Sequence, residues 1–181
     1  MTLEPMQEAD IPAVIDLANR AYRSTGEGAS WNSENGLIEG SRLTESSLRE
    51  DLARPGAQLL VWREAAGPAT SEPAAAALAG TVFLQPKEDA IWYLGLLTVR
   101  PGGQNRGSGK ELLATAEDYV RKQGGKRIRM TVLAVRETLI SWYQRRGYRE
   151  TGVTEAWPYG DERFGKPLRD DLYFVVLEKS L

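Results

Sequence analysis

Residues 91–123 read IWYLGLLTVRPGGQNRGSGKELLATAEDYVRKQ. The first nine, Ile91 to Val99, are apolar on both faces, the pattern of a central strand covered on two sides. Leu112, Leu113, Ala116, Tyr119 and Val120 then recur at helical spacing and form one apolar stripe. Between strand and helix lies a glycine-rich turn that ends in Gly107 and Gly109. Glycines at a helix entrance leave backbone N–H groups unshielded. A helix N-terminus also carries orphan donors and the positive end of the dipole, so it attracts phosphate. The stretch therefore predicts a strand, an anion cradle and a helix.

Two familiar phosphate loops do not fit. A Walker A loop needs glycine five residues before its Gly-Lys pair, where Gln104 stands, and Ser or Thr after the lysine, where Glu111 stands. A dinucleotide fingerprint starting at Gly107 and Gly109 would need its third glycine at Leu112.

Working outward, Thr2 to Pro5 reads as a short strand. Asp10 is expected to cap a helix running to about Arg23, with Ile11, Val14, Ile15, Leu17, Ala18 and Tyr22 on its apolar side. A polar loop, Ser24 to Ser41, contains Trp31-Asn32-Ser33-Glu34. Thr44-Glu45-Ser46-Ser47 opens a second helix, stopped by Pro55-Gly56. Gln58 to Glu64 and Leu78 to Leu84 read as strands joined by a flexible connection, Ala65 to Ala75, with Gly67, Pro68 and Pro73. After the stop at Gly124-Gly125, Ile128, Met130 and Val132 alternate as a strand. Glu137 to Arg146 reads as a helix, and Tyr148 to Thr154 and Leu172 to Glu178 as the last strands. This order predicts one α/β (α+β) domain over residues 1–181, with helices on both faces of a mixed sheet of about six to seven strands.

Composition narrows the chemistry. Hydrophobic residues make up 41% and charged residues 27%, the balance of a globular chain. No apolar run approaches a membrane span and the start MTLEPMQEAD is not a signal peptide, so a cytoplasmic location without membrane contact is expected. The chain has no cysteine and no histidine. Disulfides, thiolate metal sites, Ser-His-Asp triads and thiol nucleophiles are thereby excluded, and no metal site is expected. Acid–base work must fall to Asp, Glu, Tyr, Lys or water. A net charge of −2 argues against nucleic-acid binding, and the basic runs around Arg121-Lys122 and Arg145-Arg146 read as solvated helix ends.

Gln104-x-x-Gly107-x-Gly109, following Leu97-Thr98-Val99-x-Pro101, resembles the acetyl-CoA pyrophosphate loop of the GNAT superfamily of N-acetyltransferases. A second stretch resembles that family's other signature: Thr131 to Val135, then Arg136-x-x-Leu139-Ile140-x-Trp142-Tyr143-Gln144-x-x-Gly147-Tyr148. It departs from the family pattern at Arg136, where Asn is usual, and matches it at Tyr143. The resemblance implies a GNAT-like fold in which the two central parallel strands splay apart. It also implies acetyl-CoA as co-substrate, its pantetheine pairing with the strand at Leu97, Thr98 and Val99 as an added strand would. Gln104, Asn105, Arg106, Gly107, Ser108, Gly109 and Lys110 would hold its pyrophosphate, with Arg136 at the start of the second-signature helix adding to the cofactor set. Gly95 reads either as a bulge that starts the splay or as room for a packed neighbour.

The implied reaction is transfer of acetyl from acetyl-CoA to a primary amine by direct attack in a ternary complex. Tyr143 is the expected general acid for the departing thiolate; otherwise it packs on the helix face. Ile91 to Val99 carries no carboxylate, so Glu34 is nominated as base, the other reading being a surface glutamate. Trp31, Trp157 and Tyr159 either wall an acceptor pocket with Glu34 or lid the core. Asp161 lies in the same aromatic loop, and Arg42 reads either as a carboxylate anchor or as a surface charge. The acceptor is a small-molecule amine or a peptide N-terminus, and a homodimer is compatible with the chain. A CoA-binding sensor or assembly module without transfer activity is the alternative, and a nucleotide or phosphate binder using the same loop is a third reading.

Overall fold

The computed structural model describes residues 2–25, 33–63, 78–101 and 107–181. Its elements are β1 (Leu3–Pro5), α1 (Ile11–Arg23), β2 (Ile38–Glu39), α2 (Glu45–Leu52), β3 (Gln58–Arg63), β4 (Leu78–Pro86) and β5 (Ile91–Val99). They continue with α3 (Ser108–Lys122), β6 (Arg127–Leu133), α4 (Glu137–Gln144), β7 (Arg149–Ala156), β8 (Lys166–Pro167) and β9 (Tyr173–Ser180). Seven strands form one mixed sheet in the order β1-β3-β4-β5-β6-β9-β7, and β2 and β8 form a separate pair. Within the large sheet β5 and β6 run parallel and the other neighbours antiparallel.

Alternation along the strands sets the layers. On β3, Leu60 packs into the core beneath α3 and α4, while Leu59 and Val61 point to the core beneath α1 and α2. On β4, Val82 and Leu84 take the first face and Phe83 the second. α1 buries Ile11, Val14, Leu17 and Ala18 on one side of the sheet, and α3 buries Leu112, Leu113, Ala116 and Val120 on the other. Each such leucine, isoleucine or valine removed from water contributes about 1.5–3 kcal/mol before entropy is counted. Glu117 is buried on α3 but fully engaged: its carboxylate accepts from the Tyr148 hydroxyl at 3.1 Å and from Lys179 Nζ at 2.6 Å.

The glycine-loop strand and the second helix have their expected ends, the latter capped by Thr44 Oγ1 accepting from Ser47 N–H at 3.2 Å. Three details differ. Asp10 does not cap α1 with its side chain; it closes a short 3₁₀ turn, Glu8–Asp10, accepting the Gln7 N–H at 2.9 Å and pairing with Arg63 at 2.7 Å. α4 stops at Gln144 because the chain tightens there: Arg146 N–H bonds Tyr143 C=O at 2.8 Å, and Gly147 follows at φ +91°. The loop Ser24 to Ser41 ends in β2, which pairs with β8 through Ile38–Pro167 and Glu39–Lys166. The connection Ala65 to Ala75 lies outside the described residues. Among the described residues no helix is long and apolar enough to cross a membrane.

Candidate active site

The site grows from an irregularity in β5. Against β4, Thr98 pairs with Thr81 and Gly95 with Phe83, so β5 uses one residue more than its partner over this stretch. The extra residue is a bulge, and Leu96 adopts the left-handed region there, at φ +47°. A leucine in that region costs roughly 1–2 kcal/mol. Two buried hydroxyls fix it: Thr81 Oγ1 and Thr98 Oγ1 both donate to the Leu96 carbonyl, at 3.3 and 3.1 Å. Before the bulge, Trp92 and Leu94 face α3; after it, Leu97 and Val99 do. One inserted residue has changed the phase of the strand.

The same strand parts from β6. Their parallel ladder consists of Ile91–Arg127, Trp92–Ile128 and Tyr93–Arg129 and stops there. Beyond it a cleft opens between Tyr93–Leu97 on one wall and Met130–Leu133 on the other. Gly95 stands at its mouth, where a Cβ would come to 3.0 Å from Tyr93 Cε1. Arg136, just before α4, and Leu139 and Tyr143 on it contribute to the lining. Tyr22, Glu34, Arg42, Trp157, Phe164 and Phe174 also line the cleft.

Tyr143 is 6% exposed, set edge-on to Trp142 (centroids 5.0 Å) and Tyr148 (5.6 Å). Burial, with the neighbouring phenols of Tyr22 and Tyr93, pushes its pKa well above the ordinary tyrosine value, and Arg136 and Arg146 oppose this without reversing it. Its phenol is therefore protonated throughout the neutral range. Among the described residues its hydroxyl has no hydrogen-bond partner.

Glu34 enters the cleft from the loop after α1. Its N–H bonds the Tyr22 carbonyl at 2.8 Å, and its carboxylate pairs with Arg23 Nη1 at 2.5 Å. The Tyr22 hydroxyl reaches the Leu97 carbonyl at 3.5 Å, tying α1 to the bulge. The Arg42 guanidinium lies over the Tyr22 ring, 4.9 Å from its centroid.

Residues 18–148 match the family model described as the acetyltransferase (GNAT) family. The chain belongs to the GNAT acetyltransferase family. The fold of this GNAT protein is similar to that of the ribosomal-protein-S18-alanine N-acetyltransferase from Escherichia coli, at 16% identity and TM-score 0.66 over 99% of this chain and 92% of that one. It is also similar to the ribosomal-protein-alanine N-acetyltransferase from Brucella melitensis (17%, TM-score 0.67, all of both chains). A third is the IAA acetyltransferase from Bacillus cereus ATCC 14579 (12%, TM-score 0.66, 99% of both). No curated protein gives a significant match.

In this GNAT protein the loop expected from sequence to hold pyrophosphate is described from Gly107 onward; Gln104, Asn105 and Arg106 lie outside the described residues, as does Trp31. Gly107 is the residue before α3, at φ +81°, and among the described residues a Cβ there would meet nothing within 4 Å. Ser108, Gly109 and Lys110 form the first turn of α3, with Gly109 buried and Lys110 exposed. An open left-handed glycine ahead of a fifteen-residue helix suits an approaching phosphate. Leu97, Thr98 and Val99 are buried at the end of β5, and the Thr98 hydroxyl is spent on Leu96. Arg136 precedes α4 and lines the cleft.

Of the aromatic residues expected at the acceptor end, Trp157 lines the cleft, edge-on to Phe164 (centroids 6.0 Å) and tilted against Phe174 (5.4 Å). Tyr159 is not among the lining residues. It is 48% exposed, and its hydroxyl accepts the Leu172 N–H at 2.8 Å and bonds the Arg169 carbonyl at 3.2 Å, stapling a surface turn. Asp161 is also outside the lining and paired with Arg163 at 2.5 Å. Tyr22 and Tyr93 line the cleft as well, although in the sequence each sits in an apolar stripe and reads as core.

Proposed function

We propose that this GNAT protein moves an acetyl group from acetyl-CoA to a primary amine by direct attack within a ternary complex, with Tyr143 as general acid. The observation that carries this is a protonated, unpartnered phenol in the cleft that opens where β5 bulges and leaves β6. The open turn at Gly107 and the first turn of α3 would take the pyrophosphate, and pantetheine would run along Leu97 to Val99 toward the cleft. The neutral amine attacks the thioester carbonyl carbon, forming a C–N bond. As the C–S bond breaks, Tyr143 gives its proton to sulfur, and the proton lost by the amine passes to Glu34 directly or through water. With no cysteine or histidine in the chain, the usual carriers of a covalent acetyl group are missing.

Calorimetric titration with acetyl-CoA, followed by amine-dependent release of CoA across a panel of amines and peptide N-termini, tests this reading. Binding and release are expected together. Binding without release from any amine would instead make the chain a CoA-binding module.

A further inference from the structure

Three charged side chains line the cleft among the described residues: Glu34, Arg42 and Arg136. The one acid among them is already neutralised, since Glu34 is held by Arg23 at 2.5 Å with both side chains largely buried. Arg42 is different. Its backbone N–H is fixed by Asn19 Oδ1 at 2.6 Å, but its guanidinium makes no ion pair or hydrogen bond among the described residues and instead lies over the Tyr22 ring. A guanidinium stacked on a ring keeps its edge N–H groups for a planar, bidentate acceptor. A second donor also waits nearby: the Trp157 indole Nε1 is buried without a partner on the same lining.

We infer that Arg42 anchors a carboxylate on the acceptor, so that the amine acetylated by this protein is an aminocarboxylate. The inference rests on the proposed acetyl transfer and adds the substrate class. Reach supports it. One phenol ring separates the Arg42 guanidinium from the bulge, because the Tyr22 ring beneath it carries the hydroxyl that meets the Leu97 carbonyl. An acceptor whose amine and carboxylate are joined by a short carbon chain spans that gap. The positive cleft also favours the neutral form of the bound amine, which is the form that attacks.

The test compares kcat/KM for glycine, β-alanine, 4-aminobutyrate and the α-amino acids with that for their carboxamides, in the parent, Arg42→Gln and Arg42→Lys. Acetyl-CoA affinity and thermal melting are measured on each variant. In the parent at least one acid is expected to exceed its amide by roughly ten-fold or more. In Arg42→Gln that preference should fall by about 10- to 100-fold through KM, the loss expected for a charge-assisted bond, with acetyl-CoA affinity unchanged. Arg42→Lys should keep part of it. Amides matching acids throughout the panel, or a folded Arg42→Gln that retains the preference, would overturn the inference while leaving acetyl transfer intact. Failure of every amine, acidic, neutral or cationic, would refute acetyl transfer itself. Thermal shift of the CoA-bound protein with the same acids and amides then still decides on Arg42, an equal shift in parent and Arg42→Gln counting against it.

Discussion

Arg23 Nη1 holds Glu34 Oε2 at 2.5 Å, with the two side chains only 13% and 14% exposed. The pair joins the last turn of α1 to the loop that leads into β2, and Arg23 Nε extends the tie to the Gly40 carbonyl at 2.7 Å. Glu34 is thus fixed at the cleft rather than free to swing. An ion pair removed from water is costly to break from one side, because the remaining charge stays without compensation.

If Glu34 takes the amine proton, Glu34→Gln lowers kcat/KM by roughly 10²- to 10⁴-fold. Arg23→Gln, which leaves the carboxylate but frees it, is expected to lose far less. Steady-state kinetics on both variants checks this, and parental kcat/KM in Glu34→Gln would make the residue a tether for the loop and nothing more.

Tyr143→Phe keeps the ring contacts with Trp142 and Tyr148 and deletes only the proton donor. Turnover is expected to fall by roughly 10²- to 10⁴-fold while acetyl-CoA affinity and melting temperature hold. Steady-state kinetics beside calorimetry reads both, and parental turnover in the variant would reduce Tyr143 to packing.

At Gly107 two effects separate. A side chain there meets no described residue, so the cost expected of Gly107→Val is the left-handed backbone, roughly 1–2 kcal/mol of stability. The added bulk would stand where the pyrophosphate is proposed to approach, so acetyl-CoA binding should weaken far more than the melt implies. Full affinity in the folded variant would move the phosphate elsewhere.

Asp10 sets an acid limit on stability. Burial pushes its carboxyl pKa up, but Arg63 and the Gln7 N–H outweigh this and hold it below the ordinary value. A folded pKa below the unfolded one, about 4, means the unfolded chain binds more protons through that window. The contribution is therefore complete above about pH 4 and is lost as the pH falls through the lower folded value. Asp10→Asn should melt below the parent at pH 7, and the gap should shrink toward pH 2. Melting curves across that range check it, and a gap independent of pH would assign the loss to packing.

Much of this protein is legible in its sequence, for a physical reason. Ile91–Val99 forms the expected strand, and the stripe Leu112, Leu113, Ala116, Val120 is the buried face of α3, because strand and helix periodicity is written by neighbours a few residues apart. The two motifs around Gly107 and Tyr143 are equally local, and they point to the family before any coordinate does. Other features depend on partners far along the chain. Gly95 offers a bulge in the sequence as one of two readings, but because Ile91–Val99 is apolar on both faces, only the structure decides it and puts the change of phase at Leu96, where hydroxyls of Thr81 and Thr98 hold it. Asp10 reads as a helix cap until Arg63, 53 residues away, is seen beside it. β2 and β8 are two residues each and polar in part, too short for any period, yet their pairing ties the segment after Glu34 to the one after Trp157, and both of those residues line the cleft. Tyr159 looks identical in kind to Trp157 in the sequence, yet a turn between Arg169 and Leu172 claims it. Which polar groups meet across the cleft, and that Arg42 faces it over Tyr22, is decided by packing of distant segments, which leaves no trace in local pattern.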